Sequence, residues 1–366
     1  MIAHSNHQDS TTQLAVDGNH TLPQDPSLYR ICLEEQCLQE QAAPLSRAFP
    51  PSPRGTWCQP ASLVDGEYQG LLLVKVPKAA SSTSAGLALR IANRTGCGAV
   101  QWEHREGIHY QNRSTHSFLW TSVREPASRA LSAVWFFLVG PLQIPPTDEN
   151  IIRYLHTKKG GKTRGKGGYQ YVYTSLSAVE PRSVWTPHYP DMVRCPAQVR
   201  ERIRDLMEAY DFVMVVERMD ESLVVLSLLM GLPVGDVLVS NSKVAGGYLQ
   251  SRFGKKLGQC KLQVKGNRSL GIEAYIGSPE WKAMQYADEI LYRAANASLD
   301  RTIEQIGRIR FEAALEEYRQ LQQRAREVCG PTWGTGCTVA GQQFLEPCYE
   351  RDFGCGYQCI DRLLDQ

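Results

Sequence analysis

The chain has 366 residues, 42% of them hydrophobic, with 40 basic against 38 acidic side chains and a formal net charge of +2. That length and apolar content support a full core, in one large α/β domain or in two, and exclude a wholly disordered chain. The near-neutral balance gives no bulk attraction to nucleic acid, so any anionic partner must be met by a local patch.

Residues 1–67 are rich in Gln, Pro, Ser and His, with PQDP at 23–26 and PPSP at 50–53, and show no sustained period. They read as a flexible leader or stem, with Cys32, Cys37 and Cys58 able to tether part of it. The N-terminus has neither the basic start nor the apolar run of a signal peptide, and no stretch reaches the eighteen or so apolar residues of a membrane span. Membrane anchoring is therefore expected only through a segment absent from this chain.

The globular part is expected over 68–328. It opens on Leu71–Arg90, LLLVKVPKAASSTSAGLALR. Leu71–Val76 predicts a buried strand, Pro77 a turn, and the small residues after Lys78 a loop that runs into a helix. A helix start presents unsatisfied N–H groups and the positive end of the helix dipole, so this unit suits a phosphate-like anion. Lys78 adds a mobile charge, and Ser81, Ser82, Thr83 and Ser84 add hydroxyl donors.

Further strands are predicted at Ala99–Glu103, Ser117–Val123 and Asp211–Glu217. Helices are predicted at Ala127–Val139, Asn150–Thr157, Tyr169–Val179 and Pro196–Tyr210. Pro126 sits well at a helix start, and Asp220 is expected to cap a helix over Glu221–Met230. From Ser278 to Val328 the pattern is helical with a break near Gly307. Strands alternating with helices predict a mostly parallel sheet covered on both faces, with its ligand at the carboxyl ends of the strands. The aromatic run Trp135, Phe136 and Phe137 reads as core, with one end able to border an acceptor. His188 reads as a loop histidine, and Lys243, Arg252, Lys255 and Lys256 as a basic loop that faces an anion or solvent.

Five of the eleven cysteines (Cys329, Cys337, Cys348, Cys355 and Cys359) fall in 329–366. No paired CxxC or Cys/His spacing accompanies them, so this C-terminal extension is expected to be disulfide-rich and metal-free. Five of eight asparagines (Asn19, Asn93, Asn112, Asn267 and Asn296) lie in N-x-S/T. Together these features point to a secretory compartment.

The nucleoside-triphosphate signature GxxxxGK[ST] is missing around Lys78. GGKT at 160–163 supplies its end, but His156 stands where the first glycine belongs, and no buried strand precedes it. The basic glycine-rich segment 158–168 thus reads as a solvated or anion-contacting loop. A second strand–loop–helix, Arg124-Glu125-Pro126 with Arg129 and Ser132, follows some forty residues after the first and offers a guanidinium and a hydroxyl to another phosphate.

Three stretches in order, VPKAASSTS at 76–84, VREPASRALS at 123–132 and VERMDESLVVLSLLMG at 216–231, resemble the carbohydrate sulfotransferases that use 3′-phosphoadenosine 5′-phosphosulfate (PAPS), heparan sulfate 2-O-sulfotransferase among them. The resemblance spans roughly 70–300. It implies an α/β fold with a P-loop-NTPase-like parallel sheet flanked by helices, a carbohydrate acceptor and a Golgi-lumenal setting. Lys78, Ala79, Ala80, Ser81, Ser82 and Thr83 would hold the 5′-phosphosulfate, and Arg124 and Ser132 the 3′-phosphate. Lys78 would also stabilise the leaving bridging oxygen, with no metal needed.

The resemblance further implies a general base between the first two motifs. His104, directly after the Ala99–Glu103 strand, is the first choice, ahead of His109 and His116, with Glu103 and Glu106 as carboxylate alternatives. EHREGIHY at 103–110 departs from the family's pattern there. The competing readings are a glycan-binding glycoprotein with a degenerate sulfotransferase fold, and a P-loop-like kinase.

Overall fold

The computed structural model describes residues 35–59, 63–64, 67–101, 107–139, 144–156, 196–240, 248–250, 260–262, 266–330 and 356–366. All of them belong to a unit spanning Ile31–Gln366, and a second unit, Met1–Arg30, lies outside the described residues. Helix α1 covers Glu35–Ala42 and α2 covers Arg54–Trp57. Strand β1 (Leu63–Val64) pairs antiparallel with β2 (Glu67–Val74), and α3 (Ser81–Thr95) leads to β3 (Ala99–Gln101), parallel to β2. The long β4 (Arg113–Val123) lies on the other side of β2, again parallel, with Leu71 opposite Phe118 and Val74 opposite Thr121.

After β4 come α4 (Pro126–Val134), a π-helical turn over Trp135–Val139, α5 (Asp148–His156) and α6 (Pro196–Ala209). Strand β5 (Phe212–Val215) then joins β4 in parallel and runs into a 3₁₀ turn and α7 (Met219–Met230). The short strands β6 (Tyr248–Gln250) and β7 (Cys260–Leu262) form a separate antiparallel pair. Helices α8 (Leu270–Ile276), α9 (Pro279–Ile306), α10 (Arg308–Cys329) and α11 (Tyr357–Leu364) complete the described chain.

The molecule is mixed α/β, with a parallel sheet in the order β3-β2-β4-β5 flanked by helices. Its strands are buried on both faces, which is why they read as unbroken apolar runs instead of alternating ones. Leu71, Leu72, Leu73 and Val74 are each at most 1% exposed. At about 1.5–3 kcal/mol per fully buried side chain, those four contribute an upper bound of roughly 6–12 kcal/mol. Gly70 has a φ of +82°, and a Cβ there would lie 2.7 Å from the Gly98 carbonyl oxygen. It sits where the β2–β4 register shifts, and a side chain would push β3's approach away.

The opening strand runs over Glu67–Val74 and stops two residues short of the predicted Val76, because the chain turns out of the sheet at Lys75. The predicted break at Gly307 is found, with φ +95° between α9 and α10. Pro126 is the first residue of α4, as its position suggested. Asp220 is not a cap: α7 begins at Met219, and Asp220 lies inside its acidic first turn, where the helix dipole favours it. The helix predicted over 169–179, the 158–168 loop and His188 lie outside the described residues, as do Lys243, Arg252, Lys255 and Lys256.

Part of the expected flexible stem is instead built into the core. Leu38, Ala42, Leu45, Phe49 and Trp57 are buried, and α1 packs on α9. The Phe49 ring meets Phe212 of β5 edge-on at 5.4 Å, and its N–H donates to Thr302 Oγ1 at 3.0 Å. These apolar residues are too irregularly spaced to show a local period. Their partners lie far along the chain.

Two disulfides join described residues, Cys58–Cys97 and Cys329–Cys359, and Cys37 is disulfide-bonded as well. The second ties α11 back to the end of α10. Closing 30 residues of chain, it stabilises the fold by about 3.5 kcal/mol on a loop-entropy basis. Helix α11 then docks on α3, where buried Arg90 donates from Nε to Asp361 at 2.9 Å and from Nη1 to the carbonyls of Gly235, Asp236 and Leu238.

Candidate functional site

Two strand–turn–helix units, β2 to α3 and β4 to α4, meet side by side at the carboxyl edge of the sheet. The first turn is strained. Lys78 (φ 65°) and Ala80 (φ 55°) both adopt the left-handed conformation, on either side of Ala79. For residues with a Cβ that costs about 1–2 kcal/mol each, so the surroundings must hold it. They do so from β4. Ser122 Oγ donates to the Ala79 carbonyl at 2.5 Å, and Arg124 Nη1 donates to the Lys78 carbonyl at 3.2 Å. Left-handed residues in such a turn gather backbone N–H groups into an anion-binding concavity. The residue that precedes α3, Ala80, has no side chain able to cap the helix, so the dipole end of this 15-residue helix stays open to an anion. Of the residues expected in this loop, Lys78, Ala79 and Ala80 form the turn, and Ser81, Ser82 and Thr83 are the first three residues of α3.

The Lys78 ammonium rests over the Phe136 ring, 3.9 Å from its centroid. Phe136 lies in the π turn after α4 and is half-buried, so the expectation that it is core does not hold. Trp135 of the same turn packs on the cluster of α4, α5, α8 and α9 side chains.

Arg124 emerges at the end of β4 beside the first turn. Its guanidinium is half-buried and stands 3.8 Å from Glu217 Oε1, an ion pair too long for a hydrogen bond. Burial lowers its pKa from the usual value, with repulsion from Arg268 and Arg129 in the same direction; Glu217 and Glu125 act against that shift. A partly desolvated cation with incomplete compensation favours an incoming anion.

The start of α4 differs from that of α3. Glu125 caps it, its carboxylate accepting from the N–H groups of Ala127 (2.9 Å) and Ser128 (2.7 Å). Arg268 reaches over this cap, Nη2 donating to Glu125 Oε2 at 3.2 Å and to Ser128 Oγ at 2.6 Å. Arg129 turns inward to Asp288 at 3.4 Å, both side chains being almost fully buried, and serves packing of α4 on α9. Ser132 lies half-buried on α4, two turns on. Neither the Glu125 cap nor Arg268 was legible in the sequence. Glu is not a favoured cap residue, and Arg268 comes from a distant loop.

His104, Glu103 and Glu106 lie outside the described residues. His109 is exposed in the Gly107–Tyr110 turn that leads into the amino end of β4. His116 is exposed one residue before Ser117, which pairs with Gly70 in the amino half of the sheet. The structure carries Tyr110, of the same turn as His109, toward the carboxyl end of β2, its hydroxyl donating to the Leu73 carbonyl at 3.4 Å. The carboxylates it brings to the carboxyl edge are Glu125 and Glu217, linked by a 3.2 Å bond from the Glu125 N–H to Glu217 Oε1. No cluster of metal-ligating side chains occurs among the described residues.

A family comparison bears on what this edge does. Residues 189–336 match the galactose-3-O-sulfotransferase family model. This is a carbohydrate sulfotransferase family, and the match runs from before β5 through α10, beyond both turns of the site. It includes VERMDESL at 216–223, the third of the stretches that carried the resemblance. The family match supports a transferase acting in sulfuryl transfer to a carbohydrate. No curated protein and no solved structure matches the chain. No helix among the described residues is long and apolar enough to cross a membrane.

Proposed function

We propose that the protein transfers a sulfuryl group from PAPS to a carbohydrate hydroxyl, with the 3-hydroxyl of galactose as the acceptor class that the family match suggests. The observation that carries this reading is the hydrogen bond from Arg124 to the Lys78 carbonyl: two anion-seeking turns on adjacent parallel strands share one edge. A donor with phosphates at both its 5′ and 3′ positions needs two such places, and ATP needs one. The sheet order and the loop after β2 suit a P-loop-NTPase-like arrangement without its GK[ST] signature.

PAPS supplies the activated sulfuryl group. Backbone N–H groups and hydroxyls of Ser81, Ser82 and Thr83 would neutralise the equatorial oxygens, and Lys78 the bridging oxygen as its bond to sulfur breaks. Arg124 and Ser132 would hold the 3′-phosphate. His104, which follows the β3 strand, is the base we assign to take the acceptor proton. Disulfides and the sequons suit an oxidising lumen, and we place the enzyme in the Golgi on that ground.

Thermal unfolding with and without nucleotides tests the donor assignment. Adenosine 3′,5′-bisphosphate at 100 times its Kd should stabilise the protein by about 2.7 kcal/mol, and ADP should do much less. Stabilisation by ADP alone would favour a kinase. No response to either nucleotide would favour a glycan-binding protein without catalysis.

A further inference from the structure

We propose that Phe136 is a positioning residue for Lys78, its ring holding the ammonium at the mouth of the anion-binding turn before a donor arrives. This rests on the reading of Lys78 as the lysine that meets the phosphosulfate. The ammonium sits 3.9 Å from the ring centroid, well inside the range in which an aromatic face attracts a cation. A free lysine side chain, with its several rotatable bonds, loses more rotamer freedom than most when it is ordered. A lysine already resting on a ring has lost part of that freedom in advance, so less is lost when the anion binds.

The ring can keep its hold while an anion binds, because it uses the charge of the ammonium and none of its N–H donors. It is neutral and makes no hydrogen bond, whereas a charge-assisted bond to a phosphate or sulfate oxygen is stronger and directional. An acidic partner in its place would compete with the donor. The local backbone is built for this contact. Trp135–Val139 forms a π turn directly after α4, and a π turn inserts a residue that re-aims the following side chains; such turns recur at functional sites. Phe136 is only half-buried, unlike the neighbouring Val134 and Val139, so its ring is not needed whole by the core.

A double-mutant cycle read by calorimetric affinity for adenosine 3′,5′-bisphosphate tests it, on the full chain. Phe136→Leu keeps the bulk and removes the ring face; it should weaken binding about fivefold, and Phe136→Tyr should restore affinity to within about twofold. In a Lys78→Ala background, Phe136→Leu should add less than twofold, because the ring acts through the lysine. A fivefold loss that persists without Lys78 would mark a packing effect and overturn the inference, as would unchanged affinity in Phe136→Leu while Lys78→Ala is impaired. If Lys78→Ala itself binds the bisphosphate normally, the donor-site reading fails and takes the inference with it.

Discussion

The turns after β2 and β4 are the same supersecondary unit, yet only one leaves its helix start open. At α3, Ala80 offers no capping side chain and the backbone is strained into left-handed conformations to gather N–H groups. At α4, Glu125 occupies that position with its own carboxylate, and Arg268 covers it. The first unit can offer its backbone N–H groups to an anion. The second has already satisfied its backbone and offers a side chain, Arg124, from the strand end instead. On the proposed reading, a parallel sheet presents two phosphate sites next to each other without two adjacent helix dipoles drawing one ligand between them.

Three substitutions separate these roles. The largest effect is expected for Lys78→Ala, which should lower sulfuryl transfer by about two to three decades, the scale of losing one transition-state donor. Radiolabelled sulfate transfer onto a galactose-terminated oligosaccharide measures it, with circular dichroism confirming the fold; near-normal turnover would remove Lys78 from the chemistry. Arg124→Ala should come next, weakening adenosine 3′,5′-bisphosphate about 10- to 100-fold, as for a charge-assisted hydrogen bond. The comparison sharpens if 5′-AMP, which lacks the 3′-phosphate, loses far less in a parallel titration; equal losses would place Arg124 at the wrong phosphate. Glu125→Ala should have the smallest effect and of another kind. It should cost about 1 kcal/mol in urea unfolding by loss of a cap, with bisphosphate affinity kept or improved as a nearby negative charge goes. Abolished binding in this variant would mean that the α4 start is itself part of the receptor.

How far the sequence foretold this follows from the range of each interaction. Leu71–Val76, the small residues after Lys78 and Pro126 are local signals, and each marked its element to within a few residues. Gly307 was equally legible, since a glycine interrupting a long helical pattern has few other uses. The left-handed backbone at Lys78 and Ala80 was not, because neither is Gly or Asn, the residues that announce it. Nor was the docking of Phe49 on β5 and α9, which depends on Thr302, 253 residues away. The contact of Phe136 with Lys78 is hidden from the sequence for a related reason. An aromatic run at helical spacing looks like core, and only the π turn turns one ring toward the lysine.

The grip of Arg90 on the last helix has a consequence for biosynthesis. Arg90 lies on α3, whose first turn carries the proposed anion site, and its partner Asp361 is 271 residues further on. At about 5–20 residues per second, a ribosome takes from roughly 14 to 54 seconds to make the stretch between them. During that interval the buried guanidinium waits for its carboxylate, and α3 lacks one of its anchors. The helix whose first turn carries the proposed anion site is thus fastened only after Asp361 has been made and Cys359 can meet Cys329.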